Sequence, residues 1–177
     1  MAERSVPQPS AERIVSFAGH PIVVGVVPGQ AELVLLTALN LARGLGVTLY
    51  CAYADPTRTT VEELPDGSVG HVEISPDVVD EGWRERDADL RAEIGPLADA
   101  YGVAWEFRYL AGRPDRALTH LARAVDAAAF VVGASGRGRT RDFFDPTTAA
   151  HLSHHQHRPV LTVPLTVVDW RDRLPWQ

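Results

Sequence analysis

The stretch Phe130-Val131-Val132-Gly133-Ala134-Ser135-Gly136-Arg137-Gly138-Arg139 decides the fold of this chain. An apolar run that is typical of a β-strand ends in glycines, and an arginine-rich loop follows it. A helical segment then leads to a second β-like run at residues 159–164. Freed backbone amides, a helix N-terminus and local positive charge together make a cradle for phosphate groups. The stretch therefore predicts a nucleotide site in an α/β sheet.

The N-terminal part of the chain has a strand–helix–strand pattern. Residues 21–27 are an unbroken, largely β-branched run, as expected for a strand that is buried on both faces. The helix after it is expected to bury Leu33, Leu36 and Leu39, and residues 47–53 form the second strand. Such a βαβ unit has a right-handed crossover.

A long connection follows at residues 55–75. Turn residues at 64–68 and the apolar positions beside them predict a small hairpin within it. A helix is then expected to open at Ser75 and to be kinked or interrupted at Pro96.

Three more strands complete the pattern, at residues 103–110 near an edge, at 128–133 and at 159–164. The alternation of strands and helices predicts an α/β fold with a single doubly wound, five-stranded parallel sheet of order 3-2-1-4-5 and helices on both faces. A ligand of such a sheet lies beyond the carboxyl ends of the first and fourth strands, where the chain connections diverge.

The composition narrows the classes of function. A net charge of −6 disfavours nucleic acid and anionic membranes as partners, and no apolar stretch approaches transmembrane length. We therefore expect a cytoplasmic protein with neither kind of partner. The one cysteine, Cys51, lies in an apolar run and is expected to be a buried thiol.

The domain organisation is predicted to be simple, since 177 residues are ample for one domain with a full core. Residues 1–19 are expected to be a flexible tail and residues 20–165 the α/β domain. Residues 166–177 hold two tryptophans, so we expect this C-terminal tail to pack on the domain or on a dimer partner.

The glycine spacing resembles that of the universal stress protein family. Its ATP-binding members carry Gly, two residues, Gly, nine residues, and then Gly-Ser or Gly-Thr. Gly133 and Gly136 match the first two positions, and Pro146 and Thr147 stand at the last two, so the spacing and the hydroxyl are kept. The sequence Gly112-Arg113-Pro114 and residues 157–163 also resemble the family.

The resemblance implies a homodimeric stress-response protein that is not an enzyme and that binds ATP, ADP or AMP weakly, with Mg²⁺ only if ATP binds. The implied phosphate contacts are Gly133, Gly136, Gly138, Thr147 and Thr148. The residues implied to line the nucleoside pocket are Val26, Val27 and Pro28. Arg137 and Arg139 line the approach to the cradle, and we expect them to contact phosphate oxygens. The dimer is implied to form through the last strand, at Val160, Leu161, Thr162 and Val163.

The chain departs from the family at two positions. ATP-binding members place an aspartate where the first strand ends, and Val27 stands there. Pro146 replaces a glycine and removes one amide donor from the cradle. The Asp145 carboxylate can also cap the same helix and oppose a phosphate beside it. Both departures weaken the predicted nucleotide site.

Other readings of the sequence compete with nucleotide binding. On the same fold, residues 55–75 and the C-terminal tail can serve a protein-interaction module that binds no nucleotide. The residues His151, His154, His155 and His157 suit either a metal site or, more simply, a helix C-terminus. Ser135 is a poor candidate nucleophile because Arg137 replaces the last glycine of a nucleophile elbow. An ATP-hydrolysing enzyme is the least favoured reading, since Val27 removes the obvious acidic group.

Overall fold

Apolar strands pair side by side into one parallel sheet of five strands. The computed structural model of this chain describes residues 10–75, 82–134 and 146–165. The elements follow a short 3₁₀ turn at Ala11–Arg13, and they are β1 (Ile22–Gly25), α1 (Glu32–Leu45), β2 (Leu49–Asp55), β3 (Arg58–Glu63), β4 (Val69–Glu73), α2 (Trp83–Tyr101), β5 (Trp105–Ala111), α3 (Pro114–Ala124), β6 (Ala129–Ala134), α4 (Pro146–His155) and β7 (Val160–Pro164).

The strand order is β5-β2-β1-β6-β7, which confirms the predicted order 3-2-1-4-5. β1 is central, and its first residue, Ile22, aligns with Leu49 of β2 on one side and Ala129 of β6 on the other. β5 is an edge strand of this sheet, as predicted.

Two hydrophobic clusters cover the two faces of the sheet. Because side chains alternate along a strand, Ile22, Val24 and Val26 point to the face that α1 and α2 cover. Val23 and Val27 point to the opposite face, which α3 and α4 cover. The β-branched run therefore forms a strand that has no solvent face, as the sequence predicted.

Two predictions about the helices are wrong. Leu33 is 52% exposed, because the buried stripe of α1 consists of Val34, Leu35, Ala38, Leu39 and Ala42. The helix α2 is not interrupted at Pro96, since it runs unbroken from Trp83 to Tyr101. Pro96 is on its exposed side, and the buried residues Leu90, Ile94 and Ala98 hold the two halves on the sheet.

The helix start predicted at Ser75 falls partly outside the described residues, which omit 76–81. Cys51 is buried in the sheet, as expected, and burial raises the pKa of its thiol to about 12. No helix in the described part of the chain is long and apolar enough to cross a membrane.

The long connection after β2 forms the predicted hairpin. β3 and β4 pair antiparallel, from Arg58 opposite Glu73 to Glu63 opposite Val69. The hairpin turn lies on helix α3: at Gly67 there is no room for a side chain, because a Cβ atom would overlap Leu121. The hairpin thus adds cover to the α3 face of the sheet beside β5.

We predict that Gly67→Ala lowers the free energy of unfolding by about 2–3 kcal/mol, through steric overlap with buried Leu121 and through its φ of +81°. The measurement is urea unfolding followed by circular dichroism.

The matched control is Gly19→Ala, because Gly19 has a φ of +83° and nothing within 4 Å of the added methyl group. Only the backbone cost of about 1 kcal/mol is expected there. Equal losses in the two variants would show that the hairpin turn does not pack on α3.

Candidate functional site

The sheet has a crevice where the connections of two neighbouring strands diverge. After β1 the chain enters α1 on one face, and the helix that follows β6 packs on the other face. The carboxyl ends of β1 and β6 therefore lie between the two helices, at the place where ligands of doubly wound sheets bind. The predicted location of the site agrees with this topology.

Gln30 is the main polar side chain in the described part of this crevice. A turn after β1 places it, because its backbone N–H donates to the Val27 carbonyl at 3.2 Å. Its side-chain oxygen accepts from the Val27 N–H at 3.4 Å. Its amide nitrogen Nε2 is buried and has no hydrogen-bond partner among the described residues. A buried donor without a partner lowers the free energy of unfolding by roughly 1–3 kcal/mol.

Gly133 makes room for this amide group. A Cβ atom at Gly133 would lie 2.7 Å from Gln30 Nε2 and 3.0 Å from side-chain atoms of Val34 and Leu165. The glycine at the end of β6 is thus required by a close approach from the β1 loop. The structure brings Gln30 and Gly133 together although they are 103 positions apart in the chain.

The predicted nucleoside-pocket residues lie at the same edge but differ in exposure. Val26 and Val27 are buried on opposite faces of the sheet, and Pro28 is exposed. The Val27 backbone is already engaged by Gln30, since its N–H donates to the Gln30 side-chain oxygen and its carbonyl accepts from the Gln30 N–H.

The predicted phosphate contacts are described only in part. Helix α4 begins at Pro146, so Thr147 lies in its first turn, and Thr148 is buried. The other predicted contacts lie outside the described residues; they are Gly136, Arg137, Gly138 and Arg139. The proposed cap, Asp145, and the rejected nucleophile, Ser135, also lie outside the described residues.

The sequence analysis missed a buried carboxylate at the same edge, Asp55 at the end of β2. Its side chain is 2% exposed. One oxygen accepts from the Thr57 N–H at 2.9 Å and the Thr57 hydroxyl at 2.6 Å. The other accepts from the Tyr109 hydroxyl at 2.6 Å and from Arg86 at 2.9 Å. The signal was present in the sequence, as an acidic residue that directly follows an apolar strand.

These four hydrogen bonds give Asp55 a structural role. Burial raises the pKa of the Asp55 carboxyl, but the hydrogen bonds from Thr57, Tyr109 and Arg86 lower it by more, so the pKa lies below its ordinary value. Burial and the bond to Asp55 raise the pKa of Tyr109. With its acceptor positions filled, Asp55 ties β5, α2 and the start of the hairpin to the end of β2.

The histidine cluster does not form a metal centre in the described part of the chain. No group of three or more His, Cys, Asp or Glu side chains there is arranged to hold a metal ion. The rings of His151 and His155 lie 5.7 Å apart on α4, and His151 approaches Asp115 at 3.9 Å. Both histidines sit in the second half of α4, where positive charge is favourable.

Comparison with known proteins agrees with the fold. The sequence profile described as the universal stress protein family matches residues 19–164. A member of that family from Burkholderia pseudomallei superposes with a TM-score of 0.59 at 20% identity, over 88% of this chain and 99% of the other. Comparison with curated proteins gives no match.

Two of the similar structures contain a nucleotide. The universal stress protein of Archaeoglobus fulgidus in complex with dAMP has a TM-score of 0.55 at 22% identity, over 81% of this chain and 97% of the other. A universal stress protein in complex with cAMP has a TM-score of 0.58 at 21% identity, over 84% of this chain and 99% of the other.

The doubly wound parallel sheet of order β5-β2-β1-β6-β7 places the protein in the class of α/β folds. Within that class, the match over most of its length shows that the chain belongs to the universal stress protein family.

We predict that Asp55→Asn lowers the free energy of unfolding by about 3 kcal/mol at pH 7, because Arg86 and the Tyr109 hydroxyl lose their carboxylate. Since the folded-state pKa of Asp55 is lowered, its contribution is present above the unfolded-state pKa of about 4 and is lost as the pH falls through the folded-state value.

The measurement is urea unfolding of both proteins between pH 7 and pH 3, and the gap between them should narrow below about pH 4. Asp99→Asn, which changes an exposed carboxylate on α2, is the control and should have little effect. A gap that is independent of pH would exclude this role for Asp55.

Proposed function

We propose that this chain is a cytoplasmic, universal-stress-type protein that binds an adenine nucleotide weakly in the crevice between the carboxyl ends of β1 and β6. Its role is to bind ATP, ADP or AMP and not to catalyse a reaction. The fold and the family membership support the proposal, as do the related structures that contain dAMP and cAMP.

The observation that carries the proposal is the unpaired Nε2 of Gln30 beside Gly133. A buried donor without a partner is a cost to the free protein, and an acceptor on a ligand removes that cost. The family's aspartate accepts a hydrogen bond at the end of the first strand, whereas Gln30 donates one. The ligand atom next to Gln30 is therefore an acceptor, such as a ribose or phosphate oxygen or a ring nitrogen.

The phosphates are proposed to lie toward the first turn of α4. Residues Thr147 and Thr148 belong to that turn. Gly136 and Gly138 would supply backbone donors, and Arg137 and Arg139 would neutralise charge. Mg²⁺ would accompany ATP, held by its phosphate oxygens.

We predict that Gln30→Met weakens the binding of AMP and of Mg²⁺-ATP about tenfold and lowers the melting temperature only slightly. Methionine has nearly the same length and volume, so the variant removes the amide without leaving a cavity. The unpaired donor is removed, whereas the Val27 N–H loses its acceptor at 3.4 Å, so the two effects on stability oppose each other, and loss of a ligand contact lowers affinity. Isothermal titration and thermal unfolding measure the two effects.

The control is Asn40→Ala, which removes an exposed amide on α1 and should leave the affinity unchanged. Equal nucleotide affinity in wild type and Gln30→Met would remove Gln30 from the site. The absence of any heat with wild-type protein up to millimolar nucleotide would overturn the proposal itself.

A homodimer through β7 belongs to the same proposal. The Phe130 N–H donates to the Pro159 carbonyl at 2.9 Å, and the Leu165 N–H donates to the Ala134 carbonyl at 2.9 Å. By alternation, the N–H groups of Val160 and Thr162 point away from β6. Within the described residues, no strand pairs with this outer side of β7. Pro164 has no N–H, so it limits the available edge to these two donors.

We predict that Thr162→Pro weakens dimerisation at least tenfold, because it removes one of the two outward donors at the centre of the edge. Sedimentation velocity over a range of protein concentrations measures the dissociation constant. Thr162→Val keeps the N–H and should dimerise as the wild type does. A Thr162→Pro protein that remains a dimer, or a wild type that is monomeric, would contradict pairing through β7.

A second candidate function is a protein-interaction module that binds no nucleotide. The outer face of the β3–β4 hairpin exposes three apolar side chains, Val61, Val72 and Ile74. An apolar patch on an inserted hairpin is typical of a contact surface for another protein. Titrations without nucleotide heat would favour this function over the first.

A further inference from the structure

A positively charged cleft lies at the end of the molecule opposite to the nucleotide crevice. It is formed where α3 and α4 end and where the chain approaches β7, and its volume is about 590 Å³. Six basic side chains contribute to its lining, namely Arg13, Arg123, His154, His155, His157 and Arg158. Among the described residues, no acidic side chain lines it. Three of these side chains are arginines, which are charged at neutral pH, although the protein has a net charge of −6.

Arg158 forms the buried floor of the cleft. Its side chain is 6% exposed, and its Nε donates to the Ala127 carbonyl at 2.6 Å. Its Nη2 lies 3.6 Å from a carboxylate oxygen of Asp126, a side chain that is mostly exposed. The guanidinium is therefore held rigidly by the backbone and is only partly neutralised.

The other two arginines have no partner in the described part of the chain. Neither the Arg13 side chain nor the Arg123 side chain makes a hydrogen bond or an ion pair there, and both residues are exposed. The carboxyl-terminal ends of α3 and α4 contribute about −0.5 of a charge each. Their sum does not balance three guanidinium groups, so the helix ends do not explain the cluster.

The lowered pKa values of His157 and Arg158 agree with an excess of positive charge in the cleft. Burial lowers the pKa of His157, and the charges of Arg158 and Arg13 lower it further. The charge of Asp126 raises this pKa but does not cancel the decrease. Burial also lowers the pKa of Arg158, where Asp126 opposes the effect and Arg123 adds to it. An anion between these groups would relieve their mutual repulsion.

We propose that this cleft binds a small phosphorylated anion of about the size of pyrophosphate or triphosphate, at a site separate from the nucleotide crevice. A guanidinium group can bind two phosphate oxygens at once, through two parallel hydrogen bonds. Three guanidinium groups line this cleft, which is large enough for such an anion. A volume of 590 Å³ lies within the range of small-molecule sites. The inference does not depend on the nucleotide proposal, because none of its residues lies at the β1–β6 crevice.

The test is isothermal titration of the full-length protein with pyrophosphate at constant ionic strength. Wild type should bind one equivalent, and Arg123→Gln should bind at least tenfold more weakly. Arg123 is exposed and makes no contact that the fold needs, so the variant should unfold at the wild-type temperature. Arg13→Gln should weaken binding in the same direction.

The matched control is Arg116→Gln, an exposed arginine two turns earlier on α3, which changes net charge equally and should leave affinity unchanged. A double variant, Arg137→Gln with Arg139→Gln, tests whether pyrophosphate binds at the glycine loop instead. It should bind pyrophosphate as the wild type does, even where nucleotide affinity falls.

Three outcomes would overturn the proposal. They are no pyrophosphate binding by the wild type, equal weakening by Arg116→Gln and Arg123→Gln, and loss of binding in the loop double variant alone. Sulfate bound as tightly as pyrophosphate would also overturn it, since that result indicates general attraction of anions and not a phosphate site.

Discussion

The complete burial of β1 is the constraint on which the rest of the structure depends. Its residues Ile22, Val23 and Val24 are inaccessible to solvent, so apolar layers must cover both faces of the sheet. Helices α1 and α2 supply one layer, and α3 and α4 supply the other. Because the two layers are reached from neighbouring strands, the chain has to diverge at the ends of β1 and β6. The crevice is thus a consequence of how the core is built.

The polar groups at this edge divide into satisfied and unsatisfied ones. Asp55 is surrounded by donors and holds secondary-structure elements together. Gln30 is nearby along the same edge, and its amide nitrogen has no partner in the described part of the chain. The hydrogen bonds of Asp55 stabilise the fold, whereas the Gln30 amide nitrogen retains a donor that no described group uses. Hydrogen-bond satisfaction, more than residue type, separates the structural group from the candidate ligand contact.

The two ends of the sheet also differ in their electrostatics. At the amino ends of the strands, Arg13, Arg123 and Arg158 converge with three histidines. The arginines come from the N-terminal segment, the end of α3 and the loop before β7, and the tertiary structure brings them together. The carboxyl ends carry the glycine-lined crevice. Two chemically different surfaces thus lie on opposite sides of one core.

The sequence by itself determined the layout of the fold. Unbroken apolar runs, turn residues and helix periodicity in their order along the chain predicted the five-stranded sheet, its strand order, the hairpin and the buried Cys51. These features depend on local pattern, and local pattern is visible in a sequence. The predicted interruption at Pro96 failed because the packing of Ile94 and Ala98 on the sheet outweighs the loss of one helical hydrogen bond.

Only the tertiary structure decided which side chains meet. The exposure of Leu33 follows from the angle at which α1 lies on the sheet, and the contact of Gln30 with Gly133 follows from the pairing of β1 with β6. The Asp55 network and the cluster of arginines likewise join residues that are far apart in the chain. Contacts between side chains that are distant in the chain depend on strand register and on how the helices pack, and these relations have no local signature.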